Sequence, residues 1–171
     1  MKRVVTGHDK DGKSVFVKVG EPEHVVNIPG MLWKELWATY PGCKIPIDPS
    51  IEPTRDEKWK VFPDPGATIV RVIDFDPTQE DDPASLSNLG DMDKKLPGLH
   101  ESTDPDAPGM HISDTVDYGI VISGRLALEL DDGKTVDLEP GDVIIQNGTR
   151  HAWRIKEKCT VAWVITGADR Q

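Results

Sequence analysis

The chain has 171 residues, enough for one domain with its own core, and its 30 acidic and 20 basic side chains give a formal net charge of −10. This charge repels phosphate backbones, so nucleic acid is not an expected partner. The N-terminus lacks the apolar run of a signal peptide, and no apolar stretch approaches the roughly 20 residues that a membrane span needs, which predicts a cytoplasmic protein without membrane contact.

The first 75 residues predict N-terminal strands and loops. Apolar and β-branched runs between turn signals predict strands at 3–6, 14–19, 31–39 and 67–75. Asp11 and Gly12 favour a tight turn that joins the first two strands as a hairpin. The third run is ambiguous, because a strand places Trp33 and Glu35 on one face whereas a helix does not. Residues 41–66 are rich in proline and predict a long loop.

An acidic segment, residues 76–108, interrupts this pattern. Asp, Glu, Pro and Ser dominate it, with one predicted helical turn near residues 84–89. A segment of this length inside a compact domain is either disordered or functional, and its position before the next motif makes it a candidate lid over a pocket. His100 is then either a histidine of that lid or a solvated loop residue.

Short strands follow one another closely in the remainder of the chain. They are predicted at 110–116, 118–123, 125–130, 135–138, 143–147, 151–156 and 159–166. Tight turns join them, as at Gly124 and at Pro140-Gly141. The sequence therefore predicts a single all-β domain, residues 1–171, whose antiparallel strands close as a sandwich or barrel around residues 109–167.

Polar residues that are able to transfer protons or bind ligands alternate along the first of these strands. His111, Ser113, Thr115 and Asp117 share one face if no bulge intervenes, while the apolar residues between them take the other. On a surface strand such a polar face is exposed to solvent, whereas in a barrel it lines a cavity. His151 follows the Gly148 turn and shares a face with Trp153.

These residues resemble the two motifs of the cupin superfamily. Aligned on Gly124, the first motif, G-x5-H-x-H-x3,4-E-x6-G, places His111 at its first histidine and Asp117 at its glutamate. In the second motif, G-x5-P-x-G-x2-H-x3-N, Gly141, Gly148 and His151 match. The resemblance covers residues 109–155 and implies a cupin barrel, a double-stranded β-helix or jelly roll, with one pocket.

The departures from the motifs bear on the metal that many cupins hold. Ser113 stands where the second histidine ligand is expected, Asp117 is one methylene shorter than glutamate, and Ile155 replaces the asparagine. The resemblance implies that His111, Asp117 and His151 hold one divalent ion, Fe, Zn, Mn or Ni. The alternative is a site without metal, in which His111 and Asp117 form a hydrogen-bonded acid–base pair.

Further residues are predicted to line the pocket. Tyr118 is included as a proton donor or acceptor, although strand alternation turns it away from Asp117. The predicted substrate-binding residues are Ser113, Thr115, Gln146, Arg150 and Trp153. Arg150 is able to pair with a substrate carboxylate or with surface acids.

Three functions remain open from the sequence. The first is a lyase or isomerase, such as a dehydratase or decarboxylase, that acts on a small organic molecule by proton transfer. The second is a non-haem Fe(II) dioxygenase, and the third is a binding module without turnover. The resemblance also implies a homodimer, for which Trp33, Trp37 and Val25-Val26 are the predicted interface.

Overall fold

The computed structural model describes residues 1–48, 50–79 and 94–171, and this part of the chain is mostly antiparallel β-structure. Its strands are β1 Arg3–His8, β2 Ser14–Gly20, β3 His24–Ile28, β4 Met31–Thr39, β5 Thr68–Phe75, β6 Thr115–Ser123, β7 Leu126–Glu129, β8 Thr135–Leu138, β9 Val143–Asn147, β10 Ala152–Ile155 and β11 Cys159–Gly167. A short α-helix, α1, spans Leu99–Ser102, and 3-10 turns lie at Pro53–Arg55, Pro77–Gln79 and Asp131–Gly133.

Two sheets of the described strands form the barrel. The larger sheet has the strand order β3-β4-β5-β11-β6-β9, the smaller has the order β10-β7-β8, and the β1–β2 hairpin forms a separate pair. These strands pair in antiparallel fashion throughout. The predicted all-β fold of antiparallel strands is therefore confirmed. Among the described residues, no helix is long and apolar enough to cross a membrane.

The alternation of side chains along β6 and β11 sets the inside of the barrel. On β6, Asp117 and Val121 are buried while Ile120 and Ile122 are exposed. On β11, Trp163 and Ile165 point inward in the same two-residue rhythm. Because successive side chains of a strand leave opposite faces of a sheet, these central strands present one row to the interior and one row to the exterior.

Gly124 is the motif glycine at the turn from β6 to β7. Its φ of +72° lies in the left-handed region, and a Cβ there would lie 2.0 Å from the carbonyl oxygen of Lys158. Only glycine meets both the backbone conformation and the lack of space. The motif thus requires glycine here for a packing reason as well as for the turn.

Several predicted elements have different bounds in the structure. The strands predicted at 110–116 and 118–123 are one strand, β6, which starts at Thr115 and continues through Asp117. His111 makes only isolated bridges before it. Strand β3 was not predicted, because His24–Ile28 is short and lacks strict alternation. The helical turn predicted at 84–89 lies outside the described residues.

The predicted dimer interface is wrong for two of its residues. Trp33 and Val26 are buried in the core, since both lie on the inner faces of their strands. Val25 is exposed and Trp37 is partly buried. The homodimer itself stays a prediction.

Candidate functional site

A cavity of about 440 Å³ lies between the two sheets. Aromatic and aliphatic side chains form most of its wall, and a few polar groups converge on it. It is lined by Met31, Trp33, Phe62, Arg71, Ile73, Phe75, Leu99, Thr103, Pro108, Gly109, His111, Asp117, His151, Trp153, Arg154, Ile155, Trp163 and Ile165. An apolar pocket of this size with a few polar groups is typical of a small-molecule site.

His111 and His151 form a close pair on this wall. Their backbones exchange two hydrogen bonds, from His111 N to His151 O at 2.8 Å and from His151 N to His111 O at 2.9 Å. This bridge places the two imidazoles on the same side, with ring centroids 4.1 Å apart. Phe62 stacks on the outer face of His111 at 6.0 Å, and Trp153 meets His151 edge-on at 5.2 Å.

A backbone carbonyl fixes the tautomer of each histidine. Nδ1 of His111 donates to the carbonyl of Gly109 at 3.1 Å, and Nδ1 of His151 donates to the carbonyl of Thr149 at 2.8 Å. A carbonyl oxygen only accepts, so the proton of a neutral ring is on Nδ1. Nε2 of both rings then carries a free lone pair, without a hydrogen-bond partner among the described residues.

Burial keeps both histidines neutral near pH 7. Desolvation lowers the pKa of His151 to about 4, and the neighbouring His111 adds to this effect because two adjacent positive charges repel. The pKa of His111 is also lowered by desolvation. The pair is therefore a set of two hydrogen-bond acceptors in a water-poor cavity.

Asp117 contributes a carboxyl group from the inner face of β6. It is only 5% exposed, and Oδ1 has no hydrogen-bond partner in the described part of the chain. Burial raises the pKa of Asp117 to about 6, while the Thr115 hydroxyl and the Arg71 cation oppose this shift in part. A carboxyl group with a pKa near the working pH is suited to proton transfer, because both protonation states are accessible.

Arg71 and Glu35 form a buried ion pair beside Asp117. The two residues lie opposite each other on β5 and β4, and Nε of Arg71 is 3.1 Å from Oε1 of Glu35. The contact is an ion pair by distance, without the angle of a hydrogen bond. Nη2 of Arg71 has no hydrogen-bond partner within residues 1–48, 50–79 and 94–171, and the guanidinium lies 4.9 Å from the Trp33 ring. Desolvation lowers the pKa of Arg71 despite the nearby carboxyls of Glu35 and Asp117.

The polar groups of the site form two sets, each held together by its own contacts. The histidine pole consists of His111 and His151, and the carboxyl pole consists of Asp117, Arg71 and Glu35. No hydrogen bond joins His111 to Asp117 among the described residues, so the predicted pair is not formed. Nδ1 of His111 donates to the carbonyl of Gly109, and Oδ1 of Asp117 has no partner there.

The donor set fits a metal ion only in part. Each imidazole donates its Nδ1 proton to a carbonyl and leaves Nε2 free, as metal-binding histidines do. However, no three His, Cys, Asp or Glu side chains within residues 1–48, 50–79 and 94–171 are placed to hold one ion. Asp117 does not join the two histidines as the predicted third ligand. Binding of a divalent ion stays a prediction.

The described end of the acidic segment forms part of the cavity wall. Leu99, Thr103 and Pro108 line the cavity, as expected for a segment that covers a pocket. Arg150 binds this segment through Asp104, with Nη2 2.6 Å from Oδ2, and Arg154 donates to the carbonyl of Pro108 at 3.0 Å. The segment is therefore anchored to residues on both sides of His151 in the sequence.

His100 and Arg150 lie outside the cavity lining. His100 is exposed on α1, so the lid histidine is not found at the pocket. Arg150 pairs with Asp104 and with Asp131, the second of these at 2.5 Å. Its predicted contact with substrate is therefore replaced by ion pairs at the surface.

Four other residues that were predicted to act in the site do not line the cavity. Tyr118 is 46% exposed on the outer face of β6, so its predicted catalytic role is wrong. Ser113 and Thr115 hydrogen-bond each other at 2.8 Å. Gln146 donates to the Thr149 carbonyl at 2.9 Å. None of these four lines the cavity, whereas Trp153 does, as predicted.

The sequence interpretation missed Arg71 and Glu35 as site residues. Arg71 lies within the apolar strand Thr-Ile-Val-Arg-Val-Ile, where a lone charge is unusual enough to have been a signal. Glu35 shares the face of Trp33, as the strand interpretation of 31–39 already implied. Only the pairing of β4 with β5 brings the two charges together.

Comparison with known proteins finds a match over part of the chain. Residues 101–166 match the family model of the cupin domain, and this range contains His111, Asp117 and His151. This part of the chain is therefore similar to a cupin domain. The match includes β6 to β10 and most of β11, and so the strands that carry Asp117 and Trp163.

Similar proteins include members of fungal biosynthesis clusters. Phomopsin biosynthesis cluster protein C' of Diaporthe leptostromiformis is 43% identical over 54 residues, 32% of this chain and 28% of that protein. Oryzines biosynthesis cluster protein J of Aspergillus oryzae is 28% identical over 94% of this chain and 77% of its own length. The cupin-domain-containing oxidoreductase fogC of Aspergillus ruber is 25% identical over 88% of this chain, which spans 62% of that relative.

Proposed function

We propose that this protein is a lyase or isomerase that moves a proton on a small, uncharged organic molecule. The observation that carries the proposal is the buried Asp117, which lines the cavity and whose pKa burial raises to about 6. Such a carboxyl group is ionised near pH 7 and accepts a proton more readily than an ordinary aspartate.

The histidine pole has a positioning role in this proposal. Neutral His111 and His151 offer two Nε2 acceptors to a hydroxyl or other donor of the substrate. Aromatic side chains at the pole, Phe62 and Trp153, enclose a flat body and exclude water. Binding at this pole orients the opposite end of the substrate toward Asp117, which takes up the proton and returns it.

Deuterium incorporation tests the proposal whatever the product of the reaction is. A panel of uncharged ketones, hydroxyketones and amides is incubated with the protein in D2O. Mass spectrometry then follows the gain of one mass unit for each carbon-bound proton that is replaced by deuterium. We expect exchange in at least one compound, and a loss of about 100-fold or more in Asp117→Asn because the proton acceptor is gone. His151→Gln keeps the acceptor at Asp117, and we expect a raised KM with a smaller loss of kcat.

Two results of the exchange experiment would contradict the proposal. Binding of panel compounds without exchange contradicts the enzyme proposal and favours a binding module. Exchange that survives Asp117→Asn contradicts the role of this carboxyl group. An Asp132→Asn variant, which changes an aspartate with a side chain 83% exposed, serves as the matched control.

A metal-dependent oxidoreductase, including a dioxygenase, is the second candidate. It is supported by the free Nε2 atoms of His111 and His151 and by relatives named oxidoreductases, of which fogC is one. Plasma mass spectrometry of the purified protein, beside His111→Ala and His151→Ala, tests this candidate. Stoichiometric iron that both variants lose, together with oxygen uptake, favours it over proton transfer. The two neutral imidazoles would then be the protein ligands that the ion requires.

A further inference from the structure

Three residues form a row of backbone pairs across one wall of the cavity. Thr103 pairs with His111, and His111 pairs with His151, each as an antiparallel bridge. Two hydrogen bonds, of 3.0 and 2.8 Å, join the backbone neighbours of Thr103 and His111 on either side of the first bridge. Directly opposed residues of antiparallel strands project from the same face, and all three side chains line the cavity. Thr103, His111 and His151 thus form one row, the histidine row.

An ion pair lies on the opposite face of the histidine row. Asp104 follows Thr103 in the sequence and Arg150 precedes His151, so strand alternation turns both side chains away from the cavity, and neither lines it. Nε and Nη2 of Arg150 donate to Oδ2 of Asp104 at 3.2 and 2.6 Å. This ion pair, the outer clasp, connects the two ends of the row, between which the described backbone forms no direct bridge.

The outer clasp also holds the turn that fixes the tautomer of His111. Asp104 begins this turn, since its N–H donates to the Met110 carbonyl at 2.8 Å and its Oδ1 accepts from the N–H of Asp106 at 2.9 Å. Gly109, whose carbonyl accepts from Nδ1 of His111 at 3.1 Å, lies within the turn. A displacement of Asp104 therefore shifts the group that decides which ring nitrogen carries the proton.

The outer clasp belongs to a small network of charges. Both of its side chains are 32% exposed, and Nη1 of Arg150 contacts Oδ1 of Asp131 at 2.5 Å. An isolated ion pair at the surface orients its partners weakly, whereas a network around one guanidinium holds it in one orientation. Arg150 is therefore a fixed point against which Asp104 is held.

We infer that Asp104 and Arg150 are positioning residues for ligand binding by His111. They hold the turn at Gly109 so that Nδ1 of His111 keeps its proton and Nε2 remains an acceptor. Neither residue touches the ligand, so their effect is on the strength of this one hydrogen bond. The inference rests on the proposed function in assigning ligand binding to Nε2 of the histidines.

The tautomer of His111 tests the inference without a ligand. In protein with isotope-labelled histidine, heteronuclear NMR spectra at pH 7 show which ring nitrogen carries the proton. We expect Nδ1 protonation in the unaltered protein and a mixture of both tautomers in Asp104→Asn and in Arg150→Gln. Asp131→Asn is the matched control, because the same substitution removes the other ion pair of the same arginine, and we expect it to keep the single tautomer.

Two matched probes test the effect on binding. Phenol offers a hydroxyl donor to Nε2, whereas anisole has the same ring and only an acceptor oxygen. In NMR titrations we expect phenol to bind the unaltered protein about fivefold tighter than anisole, as for one neutral hydrogen bond. In Asp104→Asn and Arg150→Gln we expect this advantage to fall below about twofold while the affinity for anisole is kept. A role that is only structural would lower both affinities alike.

Some outcomes overturn the inference. A single Nδ1 tautomer of His111 in both variants, an equal change in Asp131→Asn, or a parallel loss of both probes each contradicts it. Equal binding of phenol and anisole to the unaltered protein would refute the acceptor role that the proposed function gives the histidines, whereas the tautomer of His111 would still decide whether the outer clasp holds its ring. The expected tautomers and affinities together with absent deuterium exchange would refute only the proton transfer by Asp117.

Discussion

Asp117 is buried in the folded protein, and this burial disfavours the ionised form of its carboxyl group. Its pKa is about 6 in the folded protein against 3.8 as the ordinary value, because burial penalises the carboxylate. Between these values the folded state binds more protons than the unfolded state, so this group's contribution to the free energy of unfolding falls as the pH rises from 3.8 to 6. Above pH 6 the full cost of about 2–3 kcal/mol is present.

Asp117→Asn is therefore expected to stabilise the protein near pH 7, although the proposed function makes the same substitution abolish proton transfer. The gain in the free energy of unfolding should approach about 2–3 kcal/mol at pH 7 and vanish below pH 3.8, where aspartate is protonated in both states. Urea unfolding at several pH values measures it. His151, with a pKa lowered to about 4, contributes stability that is lost as the pH falls from 6.5 to 4, but this effect is common to both proteins and cancels in the difference. A difference independent of pH would contradict the prediction.

Single residues differ in how far the sequence predicts their role. His111, Asp117 and His151 were found because two glycine-spaced motifs and strand alternation are local patterns, and all three line the cavity. Arg71 and Glu35 were missed because their meaning depends on strand pairing across 36 residues of chain. A local sequence pattern contains no information on which strands pair, so it does not bring these two residues together.

At the level of elements, β6 and β11 approach each other closely at one glycine. Gly119 on β6 lies opposite Trp163 on β11, and a Cβ at Gly119 would lie 2.4 Å from Cζ3 of the indole ring. The missing side chain thus makes room for Trp163, whose ring packs 4.9 Å from Trp153 and lines the cavity. This strand pair sets the shape of the cavity floor.

Gly119→Ala is expected to force the indole of Trp163 into the cavity. Overpacking of this kind costs about 1–3 kcal/mol of folding free energy, and we expect weaker binding of the panel compounds that the unaltered protein binds, together with a changed tryptophan emission spectrum. Gly20→Ala is the matched control, since a Cβ there meets nothing within 4 Å. An unchanged spectrum and affinity in Gly119→Ala would show that Trp163 has room elsewhere.

The elements were predicted best where turns punctuate the chain. The predicted bounds of β4, β8 and β9 agree with the structure, because glycine, proline and aspartate mark where these runs start and stop. The prediction failed at residues 110–116, where polar alternation imitates a strand. There the backbone of His111 instead bridges Thr103 and His151, so tertiary pairing overrides the local pattern.

On the scale of the whole molecule, the exterior of the large sheet carries an apolar face. Its residues, on β6, β9 and β11, are Tyr118, Ile120, Ile122, Val143, Ile145 and Val164, and each is at least 38% exposed. Cross-strand neighbours align them, since Tyr118 pairs with both Val164 and Ile145, and Ile120 pairs with Val143. A contiguous apolar face of this kind is typical of an interaction surface.

We predict a homodimer held by this face rather than by the inward-pointing Trp33. A symmetric dimer presents the same face from both copies, so Ile120→Lys places two like charges in one contact and should yield a monomeric mass in sedimentation equilibrium. Val136→Lys on β8 is the control, because Val136 is also exposed but lies on the other sheet. Since each copy has a net charge of −10, added salt should tighten the dimer by screening the repulsion while the apolar attraction persists. A monomer at every salt concentration, or a dimer that Val136→Lys disrupts and Ile120→Lys does not, would contradict this assignment of the face.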